Sequence, residues 1–196
     1  MSSARSRFLR WVAVLLAVMA FVAWTAPHIM YNFTPSMPVG FYWTWRPHRS
    51  IKAGDVVLAC VPLDTQAAGE GLRRHYLPIH QIGELRCPGD VYPVVKPVAA
   101  VPGDTVTLST AGVSVNHHLL PNTAVIQADP QGRPVWHMPL GAYQVPAGTF
   151  WLISGFNRLS FDSRYWGPVT RADILRRAVP FLTFSWDPSK GGFHAD

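Results

Sequence analysis

An uncharged, apolar stretch near the start of the chain has the length of a membrane span. No Lys, Arg, Asp or Glu occurs from Trp11 to Phe33, and a helix needs about 20 apolar residues to cross the hydrocarbon of a bilayer. Residues 1–10 contain three arginines and no acid, which indicates that this end stays in the cytoplasm. We predict a cytoplasmic basic tail over 1–10 and a transmembrane signal anchor over 11–30.

A cleaved secretory signal is the alternative for the same stretch. Cleavage requires small residues in an Ala-x-Ala-like pattern. Ala23 and Ala26 are three positions apart, and a cut after Ala26 would place the bulky Trp24 where a small residue is needed. This poor cleavage pattern favours the anchor, and both alternatives place the rest of the chain outside the cytoplasm.

Short apolar runs separated by Gly and Pro turns follow the span. Such a pattern is typical of β-strands. The predicted strands lie near 55–60, 91–101, 105–108, 113–116, 150–154 and 178–184. A polar stretch over 65–86 interrupts the pattern and is interpreted as a loop or a short helix. We predict a mostly β exported domain over 31–186 and a C-terminal tail over 187–196.

The charge balance argues against a nucleic-acid-binding protein. The net charge is +6, from 17 basic and 11 acidic residues. Without the three arginines of the tail, 14 basic residues face 11 acidic ones, so half of the basic excess belongs to the tail. A domain so close to neutral gives little support to nucleic-acid binding, and we expect no nucleic acid among its partners.

The two cysteines, Cys60 and Cys87, both follow the span. In an oxidising compartment they either form a disulfide or remain as two buried thiols. No Cys-x-x-Cys occurs, and neither close pair of histidines has a third ligand at metal-binding spacing. The sequence therefore predicts neither a metal site nor a cofactor.

Lysine is scarce, and one of the three lysines stands apart from the others. Lys52 and Lys190 lie in polar or Gly-rich segments that indicate exposed side chains, whereas Lys96 lies in a Val-rich apolar run. An isolated lysine in apolar surroundings costs free energy unless its pKa falls or it finds a partner. Lys96 is therefore either a strand-edge lysine that points to water or a neutral general base.

A candidate nucleophile follows the span directly. Ser36 stands between Pro35 and Pro38, and this stiff backbone would fix the hydroxyl and leave N–H groups available for an oxyanion. An ordinary Pro-rich linker is the alternative.

A third polar segment occupies residues 154–168. It places hydroxyl groups, one acid and two arginines in a Gly-bounded loop, where Asp162 and Arg164 are close enough to pair. Either it is a charged surface loop, or it forms a structured polar network.

In this order and behind an N-terminal anchor, the three segments resemble the type I signal peptidase family. Ser36-Met-Pro resembles the nucleophile box, Lys96 with Val101-Pro-Gly-Asp104 resembles the lysine box, and residues 157–168 resemble the C-terminal box. The resemblance covers the chain from the anchor to about residue 180. It implies a signal-peptidase-like β fold of coiled antiparallel sheets behind one transmembrane helix.

The resemblance also implies a serine endopeptidase with a Ser/Lys dyad. Ser36 would attack the scissile carbonyl and Lys96 would act as its base. The Lys96 amine would be oriented by Ser160, and the Ser36 N–H and the Thr34 hydroxyl would stabilise the oxyanion. Structural support is expected from Asn157, Asp162 and Arg164.

Within the family, the chain is most similar to the TraF-type conjugative transfer peptidases. The similar segments are Thr34-Pro-Ser-Met-Pro-Val-Gly-Phe-Tyr, Cys87-Pro-Gly-Asp and Asp129-Pro-Gln-Gly-Arg-Pro. This implies that the chain matures an exported, pilin-like precursor with small residues before the cut. The enzyme would sit in the bacterial inner membrane, in contact with the lipid bilayer, with its catalytic domain on the periplasmic side.

Three features depart from the family pattern: Phe156, Pro97 directly after Lys96, and a stretch between Arg158 and Ser160 that is one residue shorter than in housekeeping leader peptidases. Phe156 stands where the family usually has Asp, so Arg164 would depend on Asp162 alone.

Other functions stay open. A housekeeping type I leader peptidase and a catalytically inactive, membrane-anchored assembly factor of the same fold are the alternatives. A cytoplasmic self-cleaving regulator shares the Ser/Lys chemistry, but its DNA-binding segment would stand where this chain has a span.

Overall fold

The computed structural model describes residues 2–79, 85 and 87–184. Lys190 and the predicted tail 187–196 lie outside the described residues. The helices are α1 (Ser2–Thr25), α2 (Gln66–Arg73) and α3 (Ser163–Trp166). The strands are β1 (Ile29–Asn32), β2 (Gly40–Trp45), β3 (Val56–Ala59), β4 (Val94–Ala100), β5 (Thr105–Ser109), β6 (Gly112–Val115), β7 (His118–Leu119), β8 (Gly141–Gln144), β9 (Thr149–Leu152), β10 (Val169–Thr170) and β11 (Ile174–Thr183).

In the described part of the chain, these strands form two antiparallel sheets. The larger sheet has seven strands in the order β1-β2-β11-β3-β4-β9-β10, and the smaller has four in the order β7-β6-β5-β8. The prediction of a mostly β fold behind one N-terminal apolar helix is therefore confirmed. The last strand, β11, lies between β2 and β3, so the end of the domain joins its first hairpin to the rest of the sheet.

Helix α1 carries its apolar side chains on the outside. Leu15, Leu16 and Phe21 are each more than half exposed, at 58%, 59% and 61%. Among the described residues, one helix is long and apolar enough to cross a membrane, over Ser6–His28. Because these side chains pack against no other part of the described chain, lipid is the surrounding that their chemistry suits.

The structure turns from helix to sheet slightly before the predicted end of the anchor. Strand β1 begins at Ile29, and Met30 is 6% exposed. The residues of β1 continue the apolar pattern of the span, but they pair with β2 in the register Ile29↔Trp43. Pairing satisfies the backbone of this segment and points alternate side chains into the core.

The central strands β3 and β4 are buried on both faces. Val57, Leu58, Val95 and Val98 are all at most 2% exposed. A strand buried on both faces shows no alternation of apolar and polar residues, which explains the continuous Val-rich run. Lys96 lies within this run, paired with Val57, so the fold places the lysine inside the sheet.

A disulfide joins Cys60, just after β3, to Cys87, with the two Cα atoms 5.4 Å apart. The segment that it closes contains α2, which occupies part of the polar stretch predicted as a loop or a short helix. Gly71 lets this helix approach Phe161, because a Cβ at position 71 would lie 2.6 Å from Phe161 Cε1. The disulfide-closed segment thus packs against the loop after β9.

Gly40 fixes the start of β2. Its φ of +144° is unfavourable for any residue with a side chain, and a Cβ here would collide with the carbonyl oxygen of Leu182. The close approach of β2 and β11 therefore requires glycine at this point. It sets where the loop over residues 33–39 ends.

Candidate active site

Asn32 organises the loop that carries Ser36. The Asn32 side chain is 2% exposed, and its amide nitrogen donates to the carbonyl oxygens of Thr34, Met37 and Pro38 at 3.0, 3.3 and 3.1 Å. Its side-chain oxygen accepts from the backbone N–H of Thr34 at 3.2 Å. One buried amide at the end of β1 therefore holds both sides of the loop.

Ser36 is half-buried, and neighbouring residues contact both its side chain and its backbone. Its hydroxyl lies 3.3 Å from Thr34 Oγ1. Its carbonyl oxygen accepts a hydrogen bond from Ser154 Oγ at 2.5 Å. The Ser36 backbone N–H makes no hydrogen bond to any residue that the structure describes, which leaves this donor available to a ligand.

Two side chains tie this loop to the loop after β9. Ser154, which is fully buried, holds Ser36, and the amide nitrogen of Asn157 donates to Pro35 O at 3.3 Å. Asn157 itself is 6% exposed. The third polar segment is therefore a structured network that braces the Ser36 loop, and not an exposed loop.

Lys96 ends in a buried amine. The residue is 2% exposed, and its Nζ donates to Ser160 Oγ at 2.8 Å. Burial lowers the pKa of the Lys96 amine to about 7, although the Asp162 carboxylate acts in the opposite direction. Of the two sequence alternatives, the structure thus places this lysine in the interior, where a neutral amine is accessible near neutral pH.

Arg164 and Asp162 form a fully buried, two-pronged ion pair. Arg164 Nε donates to Asp162 Oδ1 and Nη2 to Asp162 Oδ2, both at 2.8 Å. Nη2 also donates to the backbone oxygen of Ser160 at 2.8 Å. Asp162 in turn accepts from the backbone N–H of Ser154 at 3.1 Å. The pair thus fixes Ser160, which holds Lys96, and Ser154, which holds Ser36.

Phe156 stands where an acidic side chain was expected, and the site is arranged without that acid. Phe156 is 37% exposed. Among the described residues, Asp162 is the acid that pairs with Arg164, whose Nη1 donates instead to the backbone oxygen of Ala124 at 3.1 Å. One carboxylate and two carbonyl groups therefore give each of the three guanidinium nitrogens of Arg164 a hydrogen-bond partner without a second acid.

One cleft of about 180 Å³ brings the two candidate reacting residues together. Ser36 and Lys96 both line it, and no hydrogen bond joins their side chains in the described structure. The other lining residues are Phe33, Thr34, Pro35, His75, Tyr76, Leu77, Pro78, Val94, Asn157, Leu159 and Phe161. Most of these side chains are apolar, so the cleft suits a small, uncharged group beside the serine.

Residues 75–78 form a wall of the cleft that no pattern in the sequence indicated. They follow α2 inside the segment closed by the disulfide. Tyr76 anchors the wall, because its hydroxyl donates to Asp129 and its ring meets Phe161 at a centroid distance of 5.4 Å. The role of Asn32 was also missed, and so was the contact of Ser154 with Ser36, because the sequence does not show what an Asn or a Ser contacts.

The candidate site residues fall into two groups. Ser36, Thr34, Lys96 and Asn157 line the cleft. Ser160 contacts the Lys96 amine, and Arg164, paired with Asp162, holds Ser160. The two cysteines do not touch the cleft and act on it only through the segment that they close. Within the part of the chain that the structure describes, no group of three or more His, Cys, Asp or Glu side chains has the arrangement of a metal site.

Comparison with known proteins gives matches over most of the chain. The sequence profile of the family described as signal peptidase, peptidase S26, matches residues 4–182. A plasmid transfer protein TraF from Escherichia coli is 37% identical over 172 residues, which cover 88% of this chain and 90% of that protein. A probable conjugal transfer protein TraF from Sinorhizobium fredii is 38% identical over 154 residues, covering 79% of this chain and 77% of that protein.

A solved structure is also similar. A signal peptidase I from Enterococcus faecalis aligns with 64% of this chain and 94% of its own, at 14% identity and a TM-score of 0.35. That likeness is too weak to add to the sequence matches.

Proposed function

Because the chain belongs to the signal peptidase family, peptidase S26, we propose that it is a membrane-anchored serine endopeptidase that cleaves leader segments from exported precursor proteins. Ser36 is its nucleophile and Lys96 its general base. The observation that carries the proposal is that both residues line one cleft while the Lys96 amine is buried and held by Ser160.

Lys96 is suited to be the base because its amine is neutral in a useful part of the pH range. With a pKa lowered to about 7 by burial, a large share of the amine can accept a proton at neutral pH. Lys96 takes the proton of Ser36 Oγ as that oxygen attacks the scissile carbonyl, and gives it to the leaving amine as the C–N bond breaks. Water, deprotonated in the same way, then hydrolyses the acyl-enzyme.

The backbone N–H of Ser36 is the first donor that the oxyanion would meet, since no described residue occupies it. Thr34 is the second candidate. Its hydroxyl has one proton, which it donates to Asn32 Oδ1 at 2.8 Å, so it must turn from Asn32 to serve the oxyanion. Preorganised donors of this kind are worth about 3 kcal/mol each to the transition state.

Conjugation is the process in which we place the enzyme. Two relatives that match at least three quarters of this chain are named as transfer proteins of plasmids or conjugation. We infer that the substrate is a pilin-like precursor of the transfer apparatus. The small, mostly apolar cleft favours small residues before the cut.

The anchor and the disulfide support an orientation. The three arginines before the span favour a cytoplasmic N-terminus, and a disulfide persists in an oxidising compartment. We infer a single-pass protein of the bacterial inner membrane with its peptidase domain on the periplasmic side.

The direct test is cleavage of a radiolabelled pilin precursor by membranes that contain the full chain. Ser36→Ala and Lys96→Ala should each abolish maturation. The matched controls are Ser50→Ala and Lys52→Ala, which change an exposed serine and an exposed lysine and should mature the precursor normally. Maturation at the wild-type rate by either active-site variant would overturn the dyad.

The same assay separates the alternative functions. Equal cleavage of unrelated exported precursors would indicate a housekeeping leader peptidase. If the wild-type chain neither cleaves a precursor nor reacts at Ser36 with a serine-directed acylating inhibitor, it is an inactive assembly factor of the same fold.

A further inference from the structure

A basic groove lies between the end of β2 and the start of β11, away from the cleft. Its volume is about 450 Å³. Three arginines line it, Arg46, Arg171 and Arg176, and its remaining wall includes the apolar side chains of Pro47, Leu85 and Leu175. The groove thus combines concentrated positive charge with an apolar surface, and the proposed peptidase chemistry uses neither.

Backbone carbonyls hold two of the guanidinium groups in place. Arg171 donates to Ile174 O at 3.2 Å and to Pro47 O at 3.3 Å. Arg176 donates to Pro27 O at 2.7 Å. These bonds orient the side chains and leave other N–H groups of each guanidinium unused, because each has five donors.

No carboxylate neutralises the groove within the described residues. Arg177, the next residue of β11, pairs with Asp55 at 2.7 Å and therefore adds no net charge. Among the residues that the structure describes, Arg46, Arg171 and Arg176 form no ion pair. The exposed Arg46 side chain also makes no hydrogen bond to any of them. Because these three guanidinium groups have no carboxylate partner among the described residues, the groove is suited to an anion that offers several oxygen acceptors.

The groove lies at the end of the span. Arg176 reaches the carbonyl oxygen of Pro27, two residues after α1 ends at Thr25. The ring of Trp24, in the last turn of α1, lies 6.4 Å from that of Trp43 on β2. Where α1 leaves the bilayer, lipid phosphates are the anions present at the same depth.

We propose that this groove binds the phosphate group of an anionic phospholipid in the leaflet where α1 ends. The guanidinium groups bind the phosphate oxygens, and the apolar wall contacts the glycerol and the first carbons of the acyl chains. A bound lipid would hold the domain at a fixed tilt beside the membrane. The proposal rests on the membrane anchoring that belongs to the proposed function, but not on peptidase activity.

Native mass spectrometry of the full chain, released from mixed micelles, tests this proposal. The micelles contain equal amounts of phosphatidylglycerol and phosphatidylcholine with the same acyl chains. All variants carry R5Q, R7Q and R10Q, because the arginines at the other end of the span would also bind anionic lipid. They also carry Ser36→Ala, so the readout does not depend on cleavage.

The double variant R46Q/R171Q is compared with the double variant K52Q/R73Q, which removes the same charge from exposed positions outside the groove. We expect the parent and the control to retain phosphatidylglycerol in preference to phosphatidylcholine. R46Q/R171Q should lose about tenfold of that preference, as expected for charge-assisted bonds to phosphate. R46Q alone should lose part of it, and this change removes no contact of the folded chain.

Three results would overturn the proposal. The first is an unchanged lipid preference in R46Q/R171Q, and the second is an equal loss in K52Q/R73Q. The third is displacement of phosphatidylglycerol by inorganic phosphate at similar concentration, which would make the groove a site for small anions. Each of these results leaves the Ser36 and Lys96 proposal untouched, since that proposal is decided by cleavage.

Discussion

Lys96 Nζ donates a hydrogen bond to Ser160 Oγ at 2.8 Å, and both residues are almost completely buried, at 2% and 1% exposed. No carboxylate contacts the amine among the described residues; its hydrogen-bond partner is a neutral hydroxyl. Burial therefore dominates and lowers the pKa of Lys96 to about 7, while the charge of Asp162 raises it and that of Arg164 lowers it. A lysine held in this way can exchange a proton with a substrate near neutral pH.

The first prediction concerns the pH dependence of cleavage. If the neutral Lys96 amine acts as the base, as we propose, kcat/KM should fall about tenfold for each pH unit below pH 7 and level off above about pH 8. The measurement is kcat/KM for a peptide that spans the cleavage site, from pH 5 to pH 9.

His75 provides the control for that profile. It also lines the cleft, and histidine is the side chain that most often serves as a general base. The His75→Gln variant should keep the same acidic limb. If the limb disappears in this variant, the profile reports the histidine, and the role of Lys96 must be revised.

The second prediction links the same amine to stability. The unfolded chain binds the Lys96 proton with the ordinary pKa of 10.5, and the folded chain only with a pKa of about 7. Between these values the unfolded state holds more protons, so the free energy of unfolding of the wild type rises with pH. Replacing Lys96 by Met should therefore stabilise the protein most below pH 7, and the gain should shrink by about 1.4 kcal/mol per pH unit above it.

Urea unfolding at pH 6, 7, 8 and 9 measures this difference. Lys52→Met changes an exposed lysine, and its effect on the unfolding free energy should be independent of pH. If the effect of Lys96→Met on the unfolding free energy is also independent of pH, the buried amine keeps its ordinary affinity for the proton.

Sequence patterns predicted six of the eleven strands that the structure describes, and they placed the ends of those six less well. The Val-rich run that contains Lys96 was recognisable because a doubly buried strand is apolar throughout. Strand β11, in contrast, begins at Ile174, four residues before the predicted run at 178–184, because Arg176 and Arg177 interrupt the apolar pattern. Their guanidinium groups reach Pro27 O and Asp55, and these partners become visible only in the folded structure.

The site shows the same limit. Ser36, Lys96 and Ser160 stand in segments with recognisable spacing, so the sequence named them. Asn32 and the wall over residues 75–78 belong to no such segment. Asn32 joins the site because β1 ends beside the loop that carries Ser36, and the wall joins it because α2 packs on Phe161.

Asn32 gives the third prediction. Asn32→Ala removes the buried amide that holds three carbonyl groups of the Ser36 loop. A displacement of the nucleophile by about 1 Å can cost 10²-fold in rate, and we expect a loss of that order in kcat. Single-turnover cleavage by purified protein measures it.

Tyr42→Phe is the matched control, because the Tyr42 hydroxyl donates to Pro38 O, one of the same carbonyl groups, at 2.7 Å. It removes one bond and leaves the amide, so it should lower kcat only a few-fold, in line with a net contribution of about 1 kcal/mol per hydrogen bond. Equal losses in the two variants would mean that Asn32 has no special part in placing Ser36.

The last prediction concerns the disulfide. Its loss should affect stability and substrate binding much more than the chemical step. The Cys60→Ser/Cys87→Ser variant frees a segment of 27 residues in sequence separation, and the free energy of unfolding should fall by about 3 kcal/mol. Residues 75–78 lie inside that segment, whereas Ser36 and Lys96 lie outside it. Loosening the wall should therefore raise KM, while kcat changes much less.

Dithiothreitol should change KM and stability of the wild type in the same direction and leave the double variant unaffected, which shows that the reductant acts through this bond alone. If reduction instead lowers kcat at constant KM, the disulfide positions the reacting groups themselves. The wall over residues 75–78 would then have no separate role in holding the substrate.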